Sequence, residues 1–368
     1  MSRASFTILG ILLLVFLLLA GAAAGYVWYS IEKPFGKIPA EGVFVEIPHG
    51  TSRRTAAHIL KRSGIIRSSL AFELYARRHP KRTLQAGDYF FDHSLTGKEV
   101  FWKLANGQVY EQPFTVREGE TIFDIARDLQ AAKHMKADEF LKAAQDPKLI
   151  LDMAPNAKTL EGFVFPATYN LARHTTPSEL TSMMVRKFRE ALDRVDSGLL
   201  QQDAAKPSGA LLRTVTLASL VERETPKPDE RPVVAGIYTN RLQKGMLLQC
   251  DPTVIYALEQ IDNYNGALTF KDLRFDSPYN TYLHAGLPPG PIGNPGEAAL
   301  RAALHPAQTD YLYFVANTQG GHFFASTLAE HNKNVAKYHR LLNGEPADPP
   351  VMEVTRTHAT APAHKGKR

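Results

Sequence analysis

The longest apolar run, Phe6 to Tyr29, carries no charge and closes on Tyr26, Val27, Trp28 and Tyr29. About 20 apolar residues cross a bilayer's hydrocarbon core, and aromatic residues gather at its interface. The run therefore predicts one spanning helix over residues 6–29, with a short stretch 1–5 before it and a Pro/Gly-containing linker 30–42 after it. Beyond it the period alternates between 2 and 3.6. Val43 to Thr51 alternates apolar and polar residues, turns at Gly50 and leads into the helical stretch Thr55 to Leu60. Phe114 to Thr121 does the same through Gly119 and leads into Ile122 to Leu129. Each copy reads as a strand, a glycine turn, a Ser or Thr cap and a short helix. Between them, residues 69–78 and 97–105 have helical spacing, and residues 85–91 turn into a strand.

Helical patterns follow at Ala137 to Ala144 and Ser178 to Val195, with a polar connection from Asp196 to Ser208. Leu160 to Tyr169 holds three aromatic residues and a proline, a composition that fills cores more often than it stacks on ligands. Asp229 and Asp251 are placed to cap two later helices, each followed by a proline. Residues 276–296 form a long loop rich in proline and glycine, of the kind retained for function. Tyr311 to Ala316, Gly320-Gly321 and His322 to Ala325 predict a hairpin, and a final helix covers 328–342.

The stretch Leu211 to Pro226 is the most informative. At helical spacing Leu211, Val215, Ala218 and Glu222 fall on one line, with Leu217 and Val221 beside it. A carboxylate thus occupies an apolar position. Desolvation disfavours its charged form and raises its pKa, as a general acid near neutral pH requires. Pro226 ends the helix, so Glu222 and Glu224 lie in its last turn. Glu224 is rotated by roughly 200° from Glu222, beside Arg213 and Leu220. Glutamates near helix ends are commonly solvated or salt-bridged, and that reading stays open for both.

Composition narrows the chemistry. The chain has 368 residues, 44% hydrophobic and 22% charged, with net charge +6 and one cysteine, Cys250. That is ordinary for two or three globular domains. The basic balance admits an anionic surface or wall polymer, but the basic residues are scattered rather than clustered, which argues against nucleic acid. Ala20-Gly21-Ala22 or Ala22-Ala23-Ala24 could be cleaved as a signal, yet the run is longer than a secretory core, so an uncleaved anchor is the reading; Arg3 places the N-terminal end inside. His322 and His331 are nine apart without a His-Glu-x-x-His helix, so no metal site is expected. There is no Gly-x-Ser-x-Gly elbow and no phosphate-cradling glycine loop. Carboxylate chemistry beside an aromatic, Asn-containing groove remains, a composition suited to sugar.

Two resemblances extend this. The second βα copy resembles the opening of a LysM module, whose usual ligand is N-acetylglucosamine-containing glycan; the first copy is a looser match. Leu217 to Thr225, Asn240-Arg241-Leu242, Leu248 to Tyr256, Tyr279 to Tyr282, Gly286 to Ile292, Asn294-Pro295-Gly296 and Tyr311 to Val315 together resemble the membrane-bound endolytic murein transglycosylases of bacteria. Cys250 stands where Thr or Ser is expected and Gly293 where Ser, Thr or Ala is common.

That resemblance implies an α+β chain: the anchor, a LysM-like βα region at 43–135, a catalytic domain at 136–342 with a lysozyme-like helix-end glutamate, and a basic tail at 343–368. It implies cleavage of the MurNAc-β-1,4-GlcNAc bond within peptidoglycan glycan strands, leaving a 1,6-anhydro end, with no cofactor. Glu222 is then the acid and base, with Glu224 second. Gln249, Asp251, Tyr279, Asn280, Thr281, Tyr282, Leu287, Pro288, Pro289 and Asn294 would hold the sugar. The location implied is the inner membrane with the catalytic domain in the periplasm, and penicillin-binding proteins are the implied partners. Two alternatives remain: a hydrolase of the same bond with Asp251 as base, and a non-catalytic wall-binding scaffold.

Overall fold

The computed structural model describes residues 3–196 and 209–344, so the polar connection beyond Asp196 and most of the expected tail lie outside the described residues. The chain divides into two compact units. The first comprises Met1–Thr115, Ala131–Met135 and Ala167–Leu180; the second comprises Val116–Gln130, Lys136–Pro166 and the chain from Thr181 onward.

In the first unit, helix α1 (Arg3–Glu32) contains the expected apolar run; its segment Gly10–Glu32 has a mean hydropathy of 2.4. The helix passes beyond the run, and the start of the expected linker is built into the fold. Ser30 and Ile31 are buried. A Cβ on Gly97 would come within 3.0 Å of Ile31 Cδ1 and 3.2 Å of the Ser30 carbonyl, so this glycine permits the close approach. The Arg67 guanidinium lies 4.6 Å from the Tyr29 ring centre and 4.7 Å from that of Phe35.

Strand β1 (Val43–Ile47) leads through α2 (Arg53–Arg62) and α3 (Ser69–Arg77) to β2 (Gly87–Phe91), followed by α4 (Gly97–Ala105). Strands β1 and β2 pair antiparallel, with Val45 opposite Tyr89 and Glu46 opposite Asp88. Ser52, Ser68 and Thr96 cap the three helices by accepting backbone N–H bonds. Val45, Ile47, Leu60, Phe72, Tyr89 and Phe101 form the core beneath them.

The second βα copy differs. Its strand β3 (Glu111–Thr115) pairs antiparallel with β4 (Thr168–Ala172) in the first unit, while its helix α5 (Ile122–Ala131) lies almost wholly in the second. Thr121 and Asp124 exchange side-chain bonds at the start of α5, as the cap pattern requires.

The second unit continues through α6 (Ala137–Ala144), most of α7 (Pro177–Val195), α8 (Ala210–Glu224), α9 (Arg231–Gln243), α10 (Asp251–Glu259) and α11 (Glu297–Leu304). The hairpin β5 (Tyr313–Ala316) and β6 (His322–Ala325) and the closing helix α12 (Leu328–Leu342) complete it. The line Leu211, Val215, Ala218, Glu222 is buried as its spacing predicts, and α8 ends at Glu224. The two aspartate caps differ from expectation: Glu230 and Cys250 occupy the cap positions of α9 and α10, and neither side chain caps.

Asn294 ties three irregular segments of this unit together. Its Oδ1 accepts from Gly162 N–H (2.8 Å) and Val164 N–H (3.2 Å), and its Nδ2 donates to the Glu120 carbonyl (2.8 Å) and to Glu161 Oε1 (2.9 Å). Gly162 has φ +86°, and a Cβ there would lie 2.5 Å from Pro291 Cγ, so only glycine fits. Glu161 is almost fully enclosed, accepts from Ile122 N–H at 3.1 Å and so caps α5 across the turn. Burial pushes its carboxyl from the ordinary 4.5 to about 8. A carboxyl raised on folding favours the protonated folded chain, so stability is greatest in acid and falls as pH rises from the ordinary carboxylate range toward 8. Glu161→Gln, which mimics the protonated form, should flatten this slope. We expect the wild-type stability to fall between pH 5 and pH 8 by about 3.5 kcal/mol relative to the variant, read as a lower denaturant midpoint.

Candidate active site

The last turn of α8 presents two carboxylates with different partners. Glu222 is 9% exposed. Its Oε1 lies 2.5 Å from Arg231 Nη2, and its Oε2 accepts the Gly296 N–H at 3.0 Å. Arg231 also reaches Glu118 Oε2 at 3.3 Å. Burial pushes the Glu222 carboxyl upward, and the Gly296 N–H and the Arg231 charge pull against it. The apolar line thus carried the carboxylate into the interior, where a guanidinium and a backbone donor satisfy it.

Glu224 points elsewhere. It is half-buried and forms no ion pair among the described residues. Its Oε2 accepts the Tyr238 hydroxyl at 3.0 Å and the Cys250 thiol at 3.4 Å. Burial raises its pKa, the two donors oppose that, and the nearby Asp251 charge adds to it. Glu224 lines a cleft of about 290 Å³ together with Arg241, Gln249, Asp251, Tyr282, Phe314 and His331. Neither Glu222 nor Arg231 is part of that lining.

The other walls of the cleft are fixed by hydrogen bonds. Arg241 is buried and donates to the carbonyls of Leu312 (2.7 Å), Leu247 (3.0 Å) and Leu248 (2.9 Å), bracing the bend that carries Gln249. Gln249 is exposed with φ +53°, a left-handed conformation uncommon for its type. The Tyr282 hydroxyl donates to Asp251 Oδ1 at 2.5 Å. His331 stacks on Tyr313 with ring centres 5.3 Å apart, and its Nδ1 has no hydrogen-bond partner among the described residues.

Of the residues assigned to sugar binding, Glu224, Gln249, Asp251 and Tyr282 therefore share one cleft, and several others do not. Asn294 is fully enclosed, with every side-chain donor and acceptor engaged in the scaffold. Asn280 is likewise enclosed: its Nδ2 donates to the Leu273 and Phe275 carbonyls, and its Oδ1 accepts from Tyr282 N–H. Thr281 accepts from Cys250 N–H and bonds Thr253. In all three the polar groups are engaged within the loop itself, and none of the three lines the cleft. Tyr279 packs on Tyr256 at 5.0 Å, Leu287 joins the core, and Pro288 is buried while Pro289 is exposed; none lines the cleft. Arg241, Phe314 and His331 carried no binding role in the sequence pattern. Arg241 and Phe314 lie within the runs that carry the family resemblance, and the pattern offers His331 only as a metal ligand. His322 is structural, its Nδ1 lying 2.7 Å from Glu230 Oε2.

Residues 45–337 match the YceG-like family. The chain belongs to that family. It is 34% identical over 325 residues to an endolytic murein transglycosylase of Bacillus subtilis (strain 168), covering 84% of this chain and 88% of that one. It is 29% identical over 362 residues to the endolytic murein transglycosylase of Streptococcus pneumoniae serotype 2 (strain D39 / NCTC 7466), covering 90% of this chain and spanning 65% of that longer relative. A 2.6 Å crystal structure of a yceG-like protein from Listeria monocytogenes superposes with a TM-score of 0.52 at 32% identity, over 80% of this chain and 99% of that one.

Removing the Glu222 charge leaves the buried Arg231 with only the half-exposed Glu118 as counter-charge. Glu222→Gln should lower the unfolding free energy by about 3 kcal/mol, and Glu222→Leu combined with Arg231→Met should recover most of it. Denaturant unfolding of the three proteins checks both expectations.

Proposed function

We propose that this family member is an endolytic murein transglycosylase and that its acid is Glu224. The observation carrying this assignment is the environment of that carboxyl: raised by burial, unpaired with any cation among the described residues, and open to the cleft. An acid must hold a proton near neutral pH and reach substrate. Glu222, whose carboxyl burial also raises, is tied to Arg231 and the Gly296 N–H and lies outside the cleft lining, so its proposed role is the orientation of the helix end.

Protonated Glu224 donates to the glycosidic oxygen as the bond from that oxygen to the anomeric carbon breaks. The ionised carboxylate then takes the proton of the C6 hydroxyl, whose oxygen bonds the same anomeric carbon and closes the 1,6-anhydro ring. No water enters, so one carboxylate suffices and positioning is the protein's main contribution. Arg241, Gln249 and the Tyr282–Asp251 pair face the cleft as sugar-positioning groups. A hydrolytic reading has one observation in its favour, the presence of Asp251 in the same cleft as a candidate base for water.

The setting supports action at a wall. We assign α1 as a single-pass anchor with the second unit on the outer side of the cytoplasmic membrane. The LysM-like region is kept at residues 43–135, and the strand, turn and capped helix that close into an antiparallel pair within residues 43–91 support it. Enzymes that polymerise glycan, the penicillin-binding proteins among them, are the proposed partners.

Mass spectrometry of products from purified glycan strands tests the reaction. Wild type should release anhydro-ended fragments, and reducing ends would mean hydrolysis instead. Glu224→Gln should lose at least ~10³-fold in rate while remaining folded. Glu222→Gln, assayed well below its melting temperature, should stay within about tenfold of wild type. The reverse result would return the acid to Glu222.

The thiol of Cys250 is a weaker donor than a hydroxyl, so it stabilises the Glu224 carboxylate less. Cys250→Ser should therefore move the alkaline limb of the kcat/KM profile to lower pH.

A further inference from the structure

Cross-strand partners Glu46 and Asp88 place two carboxylates side by side on the β1–β2 pair. Like charges directly opposite one another destabilise a sheet unless a cationic side chain offsets them. None does here: among the described residues neither carboxylate forms an ion pair with a lysine or arginine, and neither accepts a hydrogen bond. Arg173 is close in sequence to the cluster, but its guanidinium lies 4.4 Å from the Phe44 ring centre, stacked on that ring. The Asp88 side chain is only 9% exposed, so its charge is also largely removed from water. A buried carboxylate without a donor is costly to retain.

The third group at this place is His174, just beyond β4 in the same unit. Its Nε2 lies 3.9 Å from Asp88 Oδ2, too long for a hydrogen bond. One ligand atom from each of Glu46, Asp88 and His174 falls within 4.8 Å of the others. Three ligands around one small cation lie somewhat closer together than this, and rotation of the exposed Glu46 and His174 side chains supplies the difference.

We propose that Glu46, Asp88 and His174 form a divalent-cation site of the first unit, with Zn²⁺ the fitting ion. One imidazole and two carboxylates make a borderline donor set, with a fourth position left for water. The cation would neutralise the facing carboxylates and fasten the segment after β4 to the β1–β2 pair. Its role is structural, since these three residues lie in a different unit from the Glu224 cleft.

The test uses the full chain in detergent, stripped with a chelator and then titrated with Zn²⁺ by calorimetry, with retained metal counted after dialysis. Glu46→Gln and His174→Gln are made separately, because both residues are exposed and their loss should spare the fold. Wild type should bind one equivalent of Zn²⁺ saturably and gain melting temperature, and each variant should bind at least about tenfold more weakly with the gain lost. Asp88→Asn should raise the melting temperature of the metal-free chain and abolish the response to Zn²⁺. Absence of saturable binding by wild type, or equal binding by wild type and both variants, overturns the site.

Discussion

A carboxylate removed from water must be compensated, or it keeps its proton, and Glu222, Glu161 and Glu224 of the second unit meet this under different terms. Glu222 has a guanidinium and a backbone donor. Glu161 has the Ile122 N–H and the Asn294 amide but forms no ion pair among the described residues, and its carboxyl is pushed to about 8. Glu224 has a phenol and a thiol, the weakest set of the three, and alone among them faces open space. The first two hold irregular segments in place, and the third is left ready to exchange a proton. The proposed chemistry depends on this inequality.

The inequality requires a rigid frame. Residues 119–120, 161–164 and 291–296 have almost no regular structure, and Asn294 supplies what a sheet would otherwise supply. Its position two residues before Gly296 links the two roles, because the Gly296 N–H that holds Glu222 belongs to the same segment. The proline- and glycine-rich loop is thus ordered by buried side-chain hydrogen bonds, each satisfied at both ends.

Much of this was legible in the chain. The apolar run of α1, the buried stripe of α8, the capped helices and the β5–β6 hairpin follow from periodicity and punctuation. The helix carrying the glutamates was identifiable for the same reason. Which glutamate is free was not, because the decision rests on Arg231, nine residues on, and Gly296, 74 residues on. Asn280, Thr281 and Asn294 have the composition of sugar-binding residues, and only their enclosure distinguishes scaffold from ligand contact. The partner of the second βα strand was not legible either: a local pattern specifies a strand but not its partner, and β3 pairs with β4 more than fifty residues away.

The junction at the end of α1 has a mechanical meaning. A helix continued by a flexible tether transmits little of its own orientation to the domain beyond the tether. Here Ser30 and Ile31 are clamped against Gly97, and Arg67 is sandwiched between Tyr29 and Phe35. The last turn of the helix is a structural member of the first unit, so a tilt or rotation of α1 carries that unit with it as a lever carries its load.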